Sequence, residues 1–195
     1  MEAPTRGVRP RALAAIALLA TIALVAAGAS PAEAVPIKRG HTKLILDQDT
    51  SSGLDALGIG ILPTPPAEAV SGGEQFPITG GRVSRNADTA RINHDGGLAL
   101  VGDNAQVKVK RLKVHLCCRD TDDSELVASV DGQRMSFLSL EGGRQTSHGR
   151  DLTFRRIHAS LTRKAANALD QAFATDFFQK GTPLGKLRID MTLVR

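Results

Sequence analysis

The stretch Gln106-Val-Lys-Val-Lys-Arg-Leu-Lys-Val-His-Leu-Cys117 decides the fold. Apolar and polar residues alternate along it, and a period of two belongs to a half-buried β-strand. Val107 and Val109 share one face, whereas Leu112, Val114 and Leu116 share the opposite parity. Both sets face one core only if an extra residue is inserted, so the break at Lys110-Arg111 predicts a β-bulge. Asp151 to Leu161 repeats the pattern. Leu152 and Phe154 are in phase, Ile157, Ala159 and Leu161 are out of phase, and Arg155-Arg156 marks the break. The two segments are too short to establish an internal duplication, but both predict twisted strands with basic residues turned outward.

The rest of the chain extends this sheet. Phe76-Pro-Ile-Thr-Gly-Gly81 opens a strand that runs on through Val83. Thr89 to Asn93 and Leu98 to Val101 flank His94-Asp-Gly-Gly97, and Leu126–Val130 and Met135–Leu140 flank Asp131-Gly132. Asp-Gly between alternating runs is a hairpin signal, so both are read as tight turns. Upstream, Thr42 to Asp47 reads as a short first strand and Ser51 to Leu57 as one helical turn. Leu62-Pro-Thr-Pro-Pro-Ala67 cannot join a sheet interior and is expected to be a surface connection. Near the end, Thr162 is a suitable N-cap. Ala165, Ala166, Leu169, Ala172, Phe173 and Phe177 recur at helical spacing, with Gly181 and Pro183 as terminators. Leu187, Ile189, Met191 and Leu193 then alternate with polar residues as a half-buried strand. The fold class is mainly β: an antiparallel β-sandwich or partly closed barrel with one C-terminal amphipathic helix.

Composition narrows the chemistry. The 195 residues include no Trp and no Tyr, and six Phe are the only aromatics. A Tyr nucleophile, a Tyr general acid and a phenolate metal ligand are excluded, and the usual stacking groups for single-stranded nucleic acid are missing. Residues 1–34 read as a secretory signal peptide. Arg6, Arg9 and Arg11 precede the apolar run Ala12–Ala29, and Ala32-Glu33-Ala34 supplies a small-x-small cleavage signature. Pro10 separates Arg9 from Arg11, so there is no twin-arginine signal, and no Cys stands at the cleavage point to carry a lipid. The mature chain would begin with a flexible leader, 35–41, followed by a single β-rich domain, 42–195. It would be secreted, extracellular or cell-wall associated, with no stable membrane anchor after cleavage. The whole sequence carries a net charge of +5, which suits solubility and attraction to anionic surface polymers. Export argues against nucleic acid as a partner, leaving a cell-envelope component or a small ligand.

Catalytic motifs are absent: no GxSxG, P-loop, HExxH or CxxC occurs, so the chain reads as a non-enzyme. An unrecognised hydrolase would need a nucleophile, a base and an orienter converging in a concave pocket. His115 and His158 both fall on outward parities. They read as solvated side chains, or as a metal pair if their strands are neighbours. Asp120, Asp122 and Asp123 read as a polar connection. The adjacent Cys117-Cys118 reads as one buried and one exposed thiol, or as a strained vicinal, intermolecular or soft-metal pair. His94 differs because Gly residues beside it let a ligand approach closely; it reads as a ligand-recognition residue, or as a turn residue held by a structural hydrogen bond. Lys108, Lys110, Arg111, Lys113, Arg155 and Arg156 are expected to form a basic rim. His94, Arg111 and Arg156 are therefore the ligand-binding candidates; the metal assignment stays unknown.

Three of these motifs carry a resemblance. The Phe76–Gly81 strand, the His94-Asp-Gly-Gly-Leu98 turn and the Leu161-Thr-Arg-Lys-Ala-Ala-Asn-Ala-Leu169 helix resemble a group of secreted actinobacterial β-domains. More distantly, the chain is similar to the haem-transport-associated HtaA domain, from about Thr42 to the C-terminus. In HtaA domains an N-terminal Tyr binds haem iron and the turn His supports it. The resemblance implies that His94 matches the turn His. The Tyr has no counterpart, so haem would require His94 itself as axial ligand, with Arg or Lys pairing the propionates.

Overall fold

The computed structural model describes residues 34–117 and 123–194; of the expected signal peptide only Ala34 is among them. The described residues form twelve strands and two helices. They are β1 (Ala34–Leu46), α1 (Gln48–Ala56), β2 (Gly60–Thr64), β3 (Glu68–Val70) and β4 (Gly73–Ser84). Next come β5 (Ala90–His94), β6 (Gly97–Val101), β7 (Gln106–Leu116), β8 (Ser124–Val130) and β9 (Gln133–Glu141). Finally come β10 (Arg144–His148), β11 (Asp151–Leu161), α2 (Arg163–Phe173) and β12 (Pro183–Leu193).

Eight strands close a ring in the order β7-β5-β4-β1-β12-β11-β9-β8, and β8 returns to pair with β7. Every pairing is antiparallel. The architecture is thus a closed barrel, which removes the exposed edges that an open sheet would present. Short strands decorate it: β2 pairs with β6, β3 with β4 and β10 with β11. Alternation fills the inside with Leu44, Phe76, Val109, Leu126, Leu138 and Leu187, all nearly or fully buried. Outward positions such as Arg82, Arg91, Lys108 and Arg155 are exposed. This polarity is the reverse of a membrane-spanning barrel. Among the described residues no helix is long and apolar enough to cross a bilayer.

Both expected bulges are present. Register slips on β7 between Lys110 and Lys113 against β8, and on β11 between Phe154 and Ile157 against β12. Arg111 and Arg156 take the extra position with φ of 54° and 59°. On the opposite side of each bulge the neighbouring strand is interrupted at glycine. Asp95-Gly96 separates β5 from β6, and Gly142-Gly143 separates β9 from β10.

This corrects the reading of His94-Asp-Gly-Gly97 as a hairpin turn. β5 pairs with Lys113–Leu116 and β6 with Gln106–Lys110, so β5 and β6 run in the same direction along one partner. Gly96 (φ 79°) is an interruption at which the other neighbour changes from β4 to β2. A Cβ there would lie 2.5 Å from the Ala67 nitrogen and 2.8 Å from the Thr64 oxygen, so close backbone approach demands the glycine. The Asp131-Gly132 turn is a true hairpin, with φ of 46° and 92° as a type I′ turn requires.

Other differences follow from tertiary pairing. Residues 35–41, read as a leader, form the first half of β1, which pairs with both β4 and β12. The proline-rich stretch supplies an edge strand, β2, where Pro63 leaves no ladder donor missing toward a second neighbour. α1 is longer than one turn because Asp47 caps it, accepting from the Asp49 N–H at 3.1 Å. Thr162 caps α2 as expected, accepting from the Ala165 N–H at 3.2 Å. α2 stops at Phe173 because Ala174 adopts the left-handed conformation, so Phe177 lies beyond it. Phe177 and Phe178 pack edge to face at 5.2 Å.

Candidate functional site

His94 ends β5 on the same parity as Ala90 and Ile92, so alternation points its ring into the barrel. It is only 7% exposed. Thr42 reaches it from β1 on the parity of Leu44, and Thr42 Oγ1 lies 2.6 Å from His94 Nε2. His94 Nδ1 lies 3.3 Å from the Leu112 carbonyl oxygen, beside the β7 bulge. A carbonyl only accepts, so Nδ1 carries the proton and the Thr42 hydroxyl donates to Nε2. Burial pushes the imidazole pKa down to about 4, partly opposed by the hydrogen bond to Leu112. The ring is therefore neutral at physiological pH, with both nitrogens satisfied.

Thr42, His94 and the Leu112 carbonyl stand in the order nucleophile, base and orienter, but both side chains are buried. Phe76, Leu98, Val114, Phe137 and Leu184 line the same cavity, whose volume is about 20 Å³. That holds about one water and admits no substrate carbonyl. Haem, the group implied by the family resemblance, does not fit at His94 either. The only lone pair able to ligate iron receives the Thr42 proton, and the surrounding space is far too small for a porphyrin. His94 is a packed internal connector between β1, β5 and β7.

The sequence-derived candidates do not converge. Arg111 and Arg156 lie exposed on the outer surface, on β7 and β11, with β8 and β9 between those strands. For the same reason His115 and His158 are not neighbours. His115 Nδ1 sits 3.5 Å from Glu125 Oε1, and His158 is opposite Glu141 and Lys186. The expected basic rim also divides, because Arg155 and Arg156 belong to the β11 side. Among the described residues, no group of three or more His, Cys, Asp or Glu is placed to hold a metal. Cys117 directly follows β7, with its N–H donating to Ser124 Oγ at 2.9 Å. Cys118, Asp120 and Asp122 lie outside the described residues, so the readings of the thiol pair and the acidic loop do too.

A second polar cluster was not foreseen. Asp190 on β12 accepts from Arg188 Nε at 2.7 Å and from Thr153 Oγ1 at 2.8 Å, and His41 Nε2 lies 3.6 Å away. Although burial opposes ionisation, these partners hold the Asp190 carboxyl below its usual range. The pairings His41↔Asp190 and Thr153↔Asp190 create the cluster. Only the register of three strands could have shown it.

Known structures share this barrel. The C-terminal domain of HtaA from Corynebacterium glutamicum is similar over 82% of this chain and 99% of that domain, at a TM-score of 0.61 and 17% identity. The N-terminal domain of HtaA matches over 82% and 99%, at a TM-score of 0.59 and 12% identity. The heme binding protein HtaB from the same organism matches over 83% and 96%, at a TM-score of 0.55 and 10% identity. At these identities the likeness is one of fold, and the chain is an HtaA-like barrel. No protein-family model matches the sequence, and no curated protein matches it.

Proposed function

We propose that this protein is an exported, non-enzymatic binding module associated with the cell envelope, built on an HtaA-like barrel. The similarity of the complete barrel to HtaA domains and to a protein named for heme binding carries this reading. Signal-peptide composition supports export, and the buried Thr42–His94 pair supports a structural rather than catalytic role for its imidazole. Haem binding is a second reading, favoured by the name of HtaB. With no Tyr in the chain and His94 buried, it requires a ligand other than His94.

Fractionation of the source cells tests the main reading. The protein is expected in washed envelopes or culture medium with Val35 as its first residue. Recovery from the cytosol with residues 1–34 intact overturns it. Haemin titration tests the second reading. Wild type and His94→Gln are expected to give the same absorbance spectrum. A Soret band present in the wild type and lost in the variant would restore His94 as a ligand.

A further inference from the structure

The barrel's outer surface is uneven in charge. Register places Arg82 of β4 opposite Arg91 of β5, and Arg91 opposite His115 of β7. Like charges directly across a ladder repel, yet both arginines are exposed and no ion pair joins either to a carboxylate among the described residues. Along the same face of β7 follow Lys113, the bulged Lys110-Arg111 and Lys108. Ser129 faces Lys110 and Arg134 faces Ser129, which adds one more cation beyond β8. Among the described residues, Asp88 in the β4–β5 turn, Asp95 facing the bulge, Glu125 and Asp131 border this area, and Asp95 accepts from the Gly96 N–H at 2.8 Å. Glu125 pairs with His115, and Asp131 accepts from the Lys108 backbone N–H at 2.9 Å. From His115 to Lys108 the strip is roughly 23 Å long at strand spacing, and it widens by about 10 Å across β5 and β4.

We propose that the outer face of β4, β5 and β7 docks a linear extracellular polymer of closely spaced phosphodiesters. This rests on the reading of the protein as an envelope-binding module and names its ligand class. The strip is long and open, so it suits a chain rather than a small anion. Its core along β7 is three lysines and one arginine. Lysine is a compact point charge that meets phosphate oxygens from many directions, and the arginine forks beside it grip phosphate oxygens bidentately. The bulge at Arg111 turns two consecutive basic side chains outward where regular alternation would bury one.

The test uses the protein purified from its native source and a labelled, deacylated poly(glycerol phosphate) chain, read by fluorescence anisotropy over a range of NaCl concentrations. Binding is expected to weaken steeply with salt. K110E/K113E is expected to weaken it by about tenfold or more, through lost attraction and added repulsion. R144E/R155E makes the same charge change at an exposed cross-strand arginine pair on the β10–β11 side and is expected to bind like wild type. If K110E/K113E does not fold, K110Q/K113Q provides the same comparison. Equal loss in both variants overturns the proposal, as does equally tight binding to polygalacturonate. No binding to the phosphate polymer by a protein still retained on isolated envelopes overturns this inference and leaves the envelope reading standing. Failure on both overturns the two together.

Discussion

His94 ties β1, β5 and β7 together through two hydrogen bonds, and its protonation state links them to pH. The folded pKa of about 4 lies below the ordinary 6.5. Below 6.5 the unfolded chain takes up a proton that the folded chain refuses. Stability is therefore full above pH 6.5, falls as pH drops toward 4, and loses nothing further from this group below that. The loss is about 3 kcal/mol over the window. Urea unfolding of wild type and His94→Gln at pH 7.5 and 4.5 checks this: the wild type loses the larger share of its stability. Thr42→Val keeps the shape but leaves Nε2 buried without a donor, at a cost of about 1–3 kcal/mol. The orientation of His94 was legible from Ala90, Ile92 and His94 sharing a parity. The Asp-Gly pair beside it drew attention to a turn and hid that signal. Thr42 as its partner was not legible, since 52 residues separate them and only barrel closure joins their strands.

The bulges show how far local pattern reaches. A parity switch must be accommodated within one strand, so the breaks at Lys110-Arg111 and Arg155-Arg156 could be placed from sequence alone. The facing interruptions at Asp95-Gly96 and Gly142-Gly143 could not, because the same glycine chemistry serves a tight turn equally well. Which of the two forms depends on whether the next segment folds back or continues along β7 or β11, and that is a property of the assembled sheet. At both bulges a residue with a side chain occupies the left-handed region, at a cost of about 1 kcal/mol relative to glycine. Arg156→Gly is expected to be neutral or stabilising by up to about that amount. Arg156→Val, β-branched at the same φ, is expected to destabilise. Thermal unfolding of the pair gives the sign of each change, and a lower melting temperature for the glycine variant would refute the strain argument.

In the whole molecule, β1 is the strand that completes the ring between β4 and β12. Residues 35–41 read in sequence as a flexible leader, yet Val35 faces Val83 and Ile37 faces Leu193. Ile37 is 6% exposed. A chain beginning at Val35 is expected to keep its full stability. One beginning at Thr42 loses the Ile37 side chain and half of both ladders, lowering the melting temperature by about 10 °C or more. Equal melting temperatures would show that the ring does not depend on this half-strand. The pairing of β1 with β12 has one more consequence. The Val194 N–H donates to the Pro36 carbonyl, so the barrel's first and last strands run antiparallel with their outer ends side by side. A pull applied through those two ends meets the ladder one rung at a time, as a zipper does, rather than all rungs together in shear. Tension along the chain would open this barrel at the seam between β1 and β12, and at low force.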